Sequence, residues 1–260
     1  MYDLQTRQRV LALVGQGRSL NAVSRETGIS RAAIRSWRTR PEPLPRAVGR
    51  SAPCPRCRPE PGAPAATASY SYLLGLYLGD GCISPHAHGG AYLRIACADA
   101  WPGLITRCRE AITAVRPGAS VSVVPKQGCV MVTSYGRHWP CLFPQDGPGR
   151  KHTRPIALEP WQQTVVQAHP WELLRGLVHS DGCRSMNWTT RVVRGEKKRY
   201  EYARYWFTNV SDDIRRLYTD TLDAVGVEWT QCTRAGKPYN VSVAKRASVA
   251  LMDAHIGPKH

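Results

Sequence analysis

The chain has 260 residues, a formal charge of +17 and a pI near 9.9. It is long enough for a sizeable core and two or more units. It contains no apolar run long enough for a membrane helix, its first residues lack a signal peptide's apolar segment, and nine cysteines suit reduced thiols better than a disulfide framework. We therefore expect a cytoplasmic, nucleoid-associated protein with an anionic partner, most often nucleic acid.

The positive charge is densest at the N-terminus, where residues 1–69 hold 12 basic and 4 acidic residues. Apolar spacing predicts three short helices, over 4–14, 19–28 and 29–40. Ser19 and Ser30 are suited to N-caps, and Gly28 to the turn between the second and third helices. This glycine turn resembles a helix-turn-helix. We expect residues 1–40 to form a DNA-binding domain of this type, although a three-helix bundle with a solvated basic face would give the same pattern. Its third helix would present Arg31, Arg35 and Arg38 outward.

Residues 41–69 are rich in proline, alanine and glycine, which indicates an extended linker. The linker contains Cys54-Pro-Arg-Cys57, half of a zinc knuckle. No second CxxC follows and no histidine pair has the usual spacing. Zn²⁺ at Cys54 and Cys57 therefore remains one possibility beside a vestigial or chance pair, and a redox CxxC lacks a surrounding βαβ pattern.

From residue 70 onward one pattern occurs twice. An apolar helix ends in Asp-Gly-Cys, and strands and a further helix follow it. In the first copy we expect a strand over 91–99, a helix over 101–115 and strands over 120–125 and 129–135. In the second copy the apolar helix covers 170–181, and a hairpin with strands near 184–193 and 199–208 follows it. A helix over 211–225, a second pair of strands near 227–233 and 239–244 and a last helix near 246–255 complete this copy. Each copy is thus helix, hairpin, helix, hairpin, helix. The domains are expected at 70–142 and 170–260, with an inter-unit connection at 143–169.

The two apolar helices align when Asp80 is matched with Asp181. Small residues then recur four positions apart on one stripe of each helix, which removes side-chain bulk and lets two helix backbones approach closely. This interface would consist of Gly75, Gly79, Gly176 and Ser180. It would bring the two aspartates together at the same end of touching helices. Like charges there would repel and raise each other's pKa, and a divalent cation such as Mg²⁺ would relieve the repulsion.

The motifs "LLGLYLGDG" at 73–81 and "LRGLVHSDG" at 174–182 resemble those of the LAGLIDADG homing endonuclease family. The resemblance covers roughly residues 70–256 and implies an α+β fold of two pseudo-symmetric αββαββα units, whose antiparallel saddle sheets lie over the major groove of DNA. It further implies that Asp80 and Asp181, with Gly79 and Ser180 beside them, bind catalytic divalent metal for phosphodiester hydrolysis. A basic residue near a hairpin end would assist, with Lys245 and Arg137 as candidates and Lys126 and Lys237 as second choices.

Basic residues also flank or occupy the predicted hairpins, and some should contact phosphates or guanines. They are Arg94, Arg184, Arg191, Arg194, Lys197, Lys198, Arg199 and Arg204. A solvated hairpin tip is the alternative for 191–200. Cys82 and Cys183 are expected to pack beneath the acids, His179 to fill space or cap, and the tryptophans, Trp188 included, to serve packing.

The resemblance favours a monomeric, Mg²⁺-dependent, site-specific double-stranded DNA endonuclease. The chief alternative is a transcription regulator that reuses the same fold without cleavage, which the added helix-turn-helix mildly favours. An intein-embedded nuclease is disfavoured because the terminal His-Asn of an intein is missing.

Overall fold

The computed structural model describes residues 4–39, 54, 57, 62–86, 89–234 and 236–260. The chain divides into two compact units, residues 1–52 and 53–260. Most of the predicted linker lies outside the described residues. In the described part of the chain, no helix is both long and apolar enough to cross a bilayer.

The N-terminal unit contains three helices, α1 (Leu4–Gly15), α2 (Leu20–Thr27) and α3 (Arg31–Thr39). Ser19 caps α2 by accepting a hydrogen bond from the Ala22 amide at 3.2 Å, and Ser30 accepts one from the Ala33 amide at 3.3 Å at the start of α3. Gly28, between these helices, has φ +68°, a backbone conformation that glycine adopts most easily. The buried core of this unit consists of Val10, Val23, Ile29, Ile34 and Trp37.

The larger unit contains the predicted element order twice. The first copy comprises α4 (Thr67–Asp80), β1 (Gly81–Pro85), β2 (Ala91–Ala98), α5 (Pro102–Val115), β3 (Val121–Lys126), β4 (Cys129–Gly136) and the one-turn α6 (Trp139–Leu142). A 3-10 turn (Lys151–Thr153) and α7 (Pro160–Ala168) follow. The second copy comprises α8 (Pro170–Asp181), β5 (Gly182–Val193), β6 (Glu196–Thr208), α9 (Asp212–Ala224), β7 (Thr230–Arg234), β8 (Lys237–Val243) and α10 (Arg246–His255).

Each copy forms a four-stranded antiparallel sheet, with strand orders β1-β2-β4-β3 and β5-β6-β8-β7. The described residues thus confirm the predicted fold of two αββαββα repeats. Because side chains alternate across a strand, the buried residues of β2 and β6 identify the sheet face that packs on the helices. One continuous apolar core joins both copies.

The structure departs from the predicted elements in three places. β1 begins directly after α4, because Gly81 adopts an extended conformation that starts the strand at once. The helix α4 begins at Thr67, inside the segment predicted as linker. The connection between the copies is not only a loop, since the 3-10 turn and α7 lie in it.

Candidate active site

The helices α4 and α8 cross with their backbones in contact at two glycines. A Cβ added at Gly75 would lie 2.6 Å from the Leu173 carbonyl oxygen and 2.8 Å from the Gly176 Cα, both closer than real Cβ contacts. A Cβ at Gly176 would lie 2.9 Å from the Gly75 Cα and closer still to the carbonyl of Tyr72. Only a residue without a side chain fits at either position, so the helices meet closely enough to align their ends.

The two aspartates terminate these helices at the same end of the crossing. Asp80 is the last residue of α4 and Asp181 the last of α8, and each precedes a glycine that begins a strand. A Cβ added at Gly79 would overlap the Ser180 side chain and would lie 3.0 Å from Asp181 Oδ2. The carboxylate of one repeat therefore lies against the helix backbone of the other.

Both aspartates open into one cleft of about 500 Å³. Its wall combines the ends of both helices with the inter-repeat connection and the turn after β6. The residues that line it are Leu78, Gly79, Asp80, Gly81, Arg150, Lys151, His152, Asp181, Thr208, Asn209, Val210 and Ile214. The cleft thus holds two acids and several basic side chains.

The electrostatic environment raises the pKa of both acids. Burial, followed by repulsion from Asp80, raises the pKa of Asp181 to about 6, although a hydrogen bond from Asn209 Nδ2 to Asp181 Oδ2 at 2.6 Å acts in the opposite direction. Partial burial raises the pKa of Asp80 as well, although the residue is exposed on one side. Two neighbouring carboxyl groups whose pKa values are both raised are typical of a cation site or a catalytic site.

Two lysines missed by the sequence analysis lie beside the acids. Lys151, in the 3-10 turn, donates to the carbonyls of Leu78 and Gly79 at 3.0 and 3.3 Å, while Lys259, near the C-terminus, donates to the Ser180 carbonyl at 3.1 Å. The pattern follows the repeat, because Gly79 and Ser180 occupy equivalent positions immediately before the aspartates. Cations at helix C-termini stabilise the unpaired carbonyls there.

Lys151 is itself perturbed by this position. Burial lowers its pKa to about 8, against the opposing attraction of Asp181 and Asp80, and its ammonium lies 4.7 Å from the centroid of the Tyr77 ring. The signal for this lysine in the sequence is weak, since it is one member of the basic run Arg150-Lys151-His152 in a connection between repeats.

The structure places Lys245 away from the acids. Lys245 follows β8 and lies four residues beyond Val241, which is level with Gly182 across β6. At about 3.3 Å per residue, its backbone lies roughly 13 Å along the sheet from that glycine. Its ammonium pairs with the carboxylate of Glu228 on the exposed surface. The predicted neighbour of Asp181 is therefore not adjacent to it.

Arg137 occupies the equivalent position in the first repeat. It follows Gly136, which is level with Ala91 at the β1–β2 turn, whereas Asp80 precedes the other end of β1. The second choices, Lys126 and Lys237, lie at the β3–β4 and β7–β8 turns, at the acid end of their sheets. The cations that lower the pKa of Asp80 are Lys259 and Lys151.

The donor set fits a hard divalent cation through the two carboxylates. Carboxylate oxygens are preferred ligands of Mg²⁺, and neither carboxylate forms an ion pair among the described residues within 4 Å. The carbonyls of Gly79 and Ser180, expected to neighbour the metal, accept hydrogen bonds from lysines instead. A cation held by Asp80 and Asp181 would share the cleft with these two ammonium groups.

Some of the predicted DNA-binding residues lie on the open faces of the two sheets, which point away from the helices. Directly opposed pairs in an antiparallel ladder share a face, so Arg191 lies beside Lys198, and Arg204 beside Ser185, on the open face of the second sheet. Arg94 lies on the open face of the first sheet and donates to Ser84 Oγ at 3.0 Å. These four basic residues can face a ligand across the sheets.

The other predicted DNA-binding residues do not lie on the open sheet faces. Arg194 has φ +53° in the β5–β6 turn, and Lys197 and Arg199 point to the helix side of the hairpin but beyond the core, where they are exposed. Arg184 faces the helices and forms a bidentate ion pair with Asp253, with N···O distances of 2.7 and 2.9 Å. A DNA contact from Arg184 would have to break that pair.

Packing roles were predicted for two cysteines, a histidine and the tryptophans. Cys82 and Cys183 are exposed on the open sheet faces, so the prediction that they pack beneath the acids is wrong. His179 is buried beside the Tyr72 hydroxyl at 3.0 Å, and burial lowers its pKa to about 3, which agrees with a packing role. Trp188 is 61% exposed and stacks on Arg199, so the packing role predicted for it is wrong.

In the N-terminal unit, Arg31, Arg35 and Arg38 are exposed on α3 as expected. Arg31 donates to Asn21 Oδ1 at 3.0 Å.

The structure also brings Cys54 and Cys57 into a cluster with His138 and Cys141, which the sequence analysis did not anticipate. Burial and the neighbouring thiols of Cys141 and Cys54 raise the pKa of Cys57 to about 12.

No family model and no curated protein matches the sequence. Among solved structures, the chain is similar to I-DmoI in complex with DNA and Mn, with 13% identity over 75% of this chain and 98% of that chain and a TM-score of 0.48. It is also similar to the N-terminal LAGLIDADG domain of DUF199/WhiA, with 12% identity, coverage of 75% and 85% and a TM-score of 0.46. A third is the LAGLIDADG meganuclease I-AabMI bound to uncleaved DNA, with 13% identity, coverage of 72% and 83% and a TM-score of 0.44. By its own order of elements and its two sheets, the chain has the duplicated fold that its resemblance to the LAGLIDADG homing endonucleases predicts.

Proposed function

We propose that this chain is a site-specific endonuclease that cleaves double-stranded DNA with the help of a divalent metal ion. The observation that supports the proposal most is the pair Asp80 and Asp181, held at adjoining ends of two helices whose backbones touch and open to one cleft. Two carboxylates related by an internal repeat suit a substrate with two related strands. Because both repeats lie in one chain, the enzyme acts as a monomer.

In this mechanism Asp80 and Asp181 would hold the cation in the cleft that they line. When bound, Mg²⁺ supplies an activated water and neutralises charge on the leaving oxygen. Lys151 and Lys259, on the helix ends beside the acids, attract a phosphate into the cleft and stabilise the negative charge that develops on it. With a pKa of about 8, Lys151 is mostly protonated at neutral pH and becomes neutral in mild alkali.

The open faces of the two sheets bind the duplex in this proposal. Arg94, Arg191, Lys198 and Arg204 lie on those faces, and a duplex carries one negative charge per about 1.7 Å of its axis. Trp188 and Arg199 stack on each other in the part of the β5–β6 hairpin that lies beyond the core, and both are exposed. The N-terminal unit acts as a second DNA-binding domain, with Arg31, Arg35 and Arg38 directed at DNA from α3.

A second candidate is a DNA-binding regulator that does not cleave. The lysines favour it, because Lys151 and Lys259 already supply positive charge beside Asp80 and Asp181 and occupy the carbonyls that precede them. In this second reading, the two ammonium groups offset part of the carboxylates' repulsion and no metal ion is needed. In that case, the acids and lysines would act only as a structural link between the repeats.

Cleavage of a bound site separates the two candidates. DNA fragments selected for binding to the full chain would be incubated with the protein and Mg²⁺, and both strands would be mapped for breaks. We expect breaks on both strands with the native protein, and loss of cleavage with retained binding for Asp80→Asn and Asp181→Asn. The exposed Asp220→Asn variant on α9 is the matched control and should cleave normally. Binding without breaks in the native protein would contradict the endonuclease and support the regulator.

A further inference from the structure

Four side chains of types that can bind a metal ion meet beside α6, at the end of the first repeat. They form two pairs with the same spacing, Cys54-x-x-Cys57 and His138-x-x-Cys141. Their ligand atoms all lie within 4.8 Å of one another. His138 Nδ1 lies 3.3 Å from Cys54 Sγ and 3.1 Å from Cys57 Sγ.

A backbone hydrogen bond joins the two ligand residues of each pair. The Cys57 amide donates to the Cys54 carbonyl at 2.9 Å, and the Cys141 amide donates to the His138 carbonyl at 3.0 Å. This hydrogen bond keeps the two ligand residues of each pair close together. Two such pairs facing each other are the usual framework of a four-ligand zinc site.

One half of this framework is fixed rigidly by the core. His138 is the N-cap residue of α6, and two residues of that one-turn helix, Trp139 and Leu142, are 0% and 1% exposed. In the other half, Cys57 is buried and Cys54 is half-buried. A bond between the halves would therefore hold the segment before α4 against α6.

The dimensions and the ligand types select the ion. Zinc–sulfur bonds of about 2.3 Å place the corners of a tetrahedral site roughly 3.8 Å apart, which lies within the separations of this cluster. Three thiols and one imidazole favour a soft or borderline ion over Mg²⁺. Four protein ligands leave no open position for a reacting water, which is typical of a structural site.

We propose that Cys54, Cys57, His138 and Cys141 bind one structural Zn²⁺, which fastens the segment preceding α4 to the short helix that follows β4. The site is independent of the endonuclease proposal, because none of its ligands lines the cleft of Asp80 and Asp181. It also completes the half knuckle of the sequence with a histidine–cysteine pair that lies 81 residues further along the chain, counted from Cys57 to His138.

The metal content of the purified full chain tests this proposal. We expect about one zinc per chain by elemental analysis, and less than about a tenth of that in Cys141→Ser and Cys57→Ser, because a three-ligand site binds zinc far more weakly. Cys129→Ser, which removes a half-buried cysteine outside the cluster, and Asp80→Asn, which alters only the cleft, should both keep one zinc.

Cobalt replacement and a ligand swap cover the case in which the serine variants do not fold. Co²⁺ added to the zinc-free native chain should give a thiolate charge-transfer band and tetrahedral visible bands, and His138→Cys should retain zinc with four thiolates. A native chain that contains no zinc and gives no cobalt bands would overturn the proposal. A Cys54–Cys57 disulfide found by mass spectrometry, or full zinc content in Cys141→Ser and Cys57→Ser alike, would overturn it as well.

Discussion

Gly75→Ala tests whether the helix crossing aligns the two acids. The added methyl would lie 2.6 Å from the Leu173 carbonyl oxygen, 2.7 Å from the Leu177 amide nitrogen and 2.8 Å from the Gly176 Cα. All three atoms are backbone and cannot rotate away, so α4 and α8 must separate by roughly 1 Å to restore ordinary contacts. Overpacking of this kind costs about 3 kcal/mol, and the better helix propensity of alanine returns about 1 kcal/mol.

The net loss of about 2 kcal/mol in the free energy of unfolding corresponds to a Tm lowered by about 4–8 °C for a unit of this size. Thermal unfolding followed by circular dichroism measures it. Gly62→Ala is the control, since an added Cβ there has nothing within 4 Å and the residue is exposed. A Gly75→Ala protein as stable as the native chain would refute the close crossing and, with it, the alignment of the acids.

Three further predictions concern charge. In the absence of metal, Asp181→Asn should stabilise the protein by about 1–2 kcal/mol at pH 7–8 but not at pH 4. The folded state raises the pKa of Asp181 to about 6, so ionisation of this group lowers the free energy of unfolding as the pH rises toward and past that value. Equal Tm shifts at both pH values would contradict this. Arg191→Ala should weaken DNA binding and reduce its salt dependence by about one counterion, whereas Arg184→Ala should leave the salt slope unchanged and lower the Tm through loss of the Asp253 ion pair; identical slopes would count against the assignment of faces. Lys151→Met should raise the pKa of Asp181 further and move the pH profile of cleavage upward; an unshifted profile would exclude a role for this ammonium.

Much of the fold follows from local signals in the sequence. The helix ends at Ser19 and Gly28 depend on a side-chain cap and a left-handed backbone, which single residues determine. The repeat of Asp-Gly-Cys after two apolar helices predicts both the duplicated architecture and the pairing of the acids. The last helix has the predicted bounds, Arg246–His255.

What the sequence did not reveal depends on contacts between distant residues. Lys151 and Lys259 reach the helix ends from a connection and from the C-terminal segment, and neither position has a local pattern that distinguishes it from a solvated lysine. The cluster around Cys57 was incomplete in the sequence because its partners follow β4, and only the packing of α6 brings them near. The helix-turn-helix identity of the N-terminal unit and the roles assigned to its arginines stay predictions.

The location of a divalent metal ion bound together with DNA tests the central claim most directly. A crystal structure of the full chain with a selected DNA site and Mn²⁺, analysed for anomalous scattering, would show where the ion lies. We predict an ion ligated by the carboxylates of Asp80 and Asp181 and by a phosphate of the duplex, with Lys151 and Lys259 near that phosphate. Density for DNA on the sheets without an ion at these carboxylates, or DNA bound on another face, would contradict it.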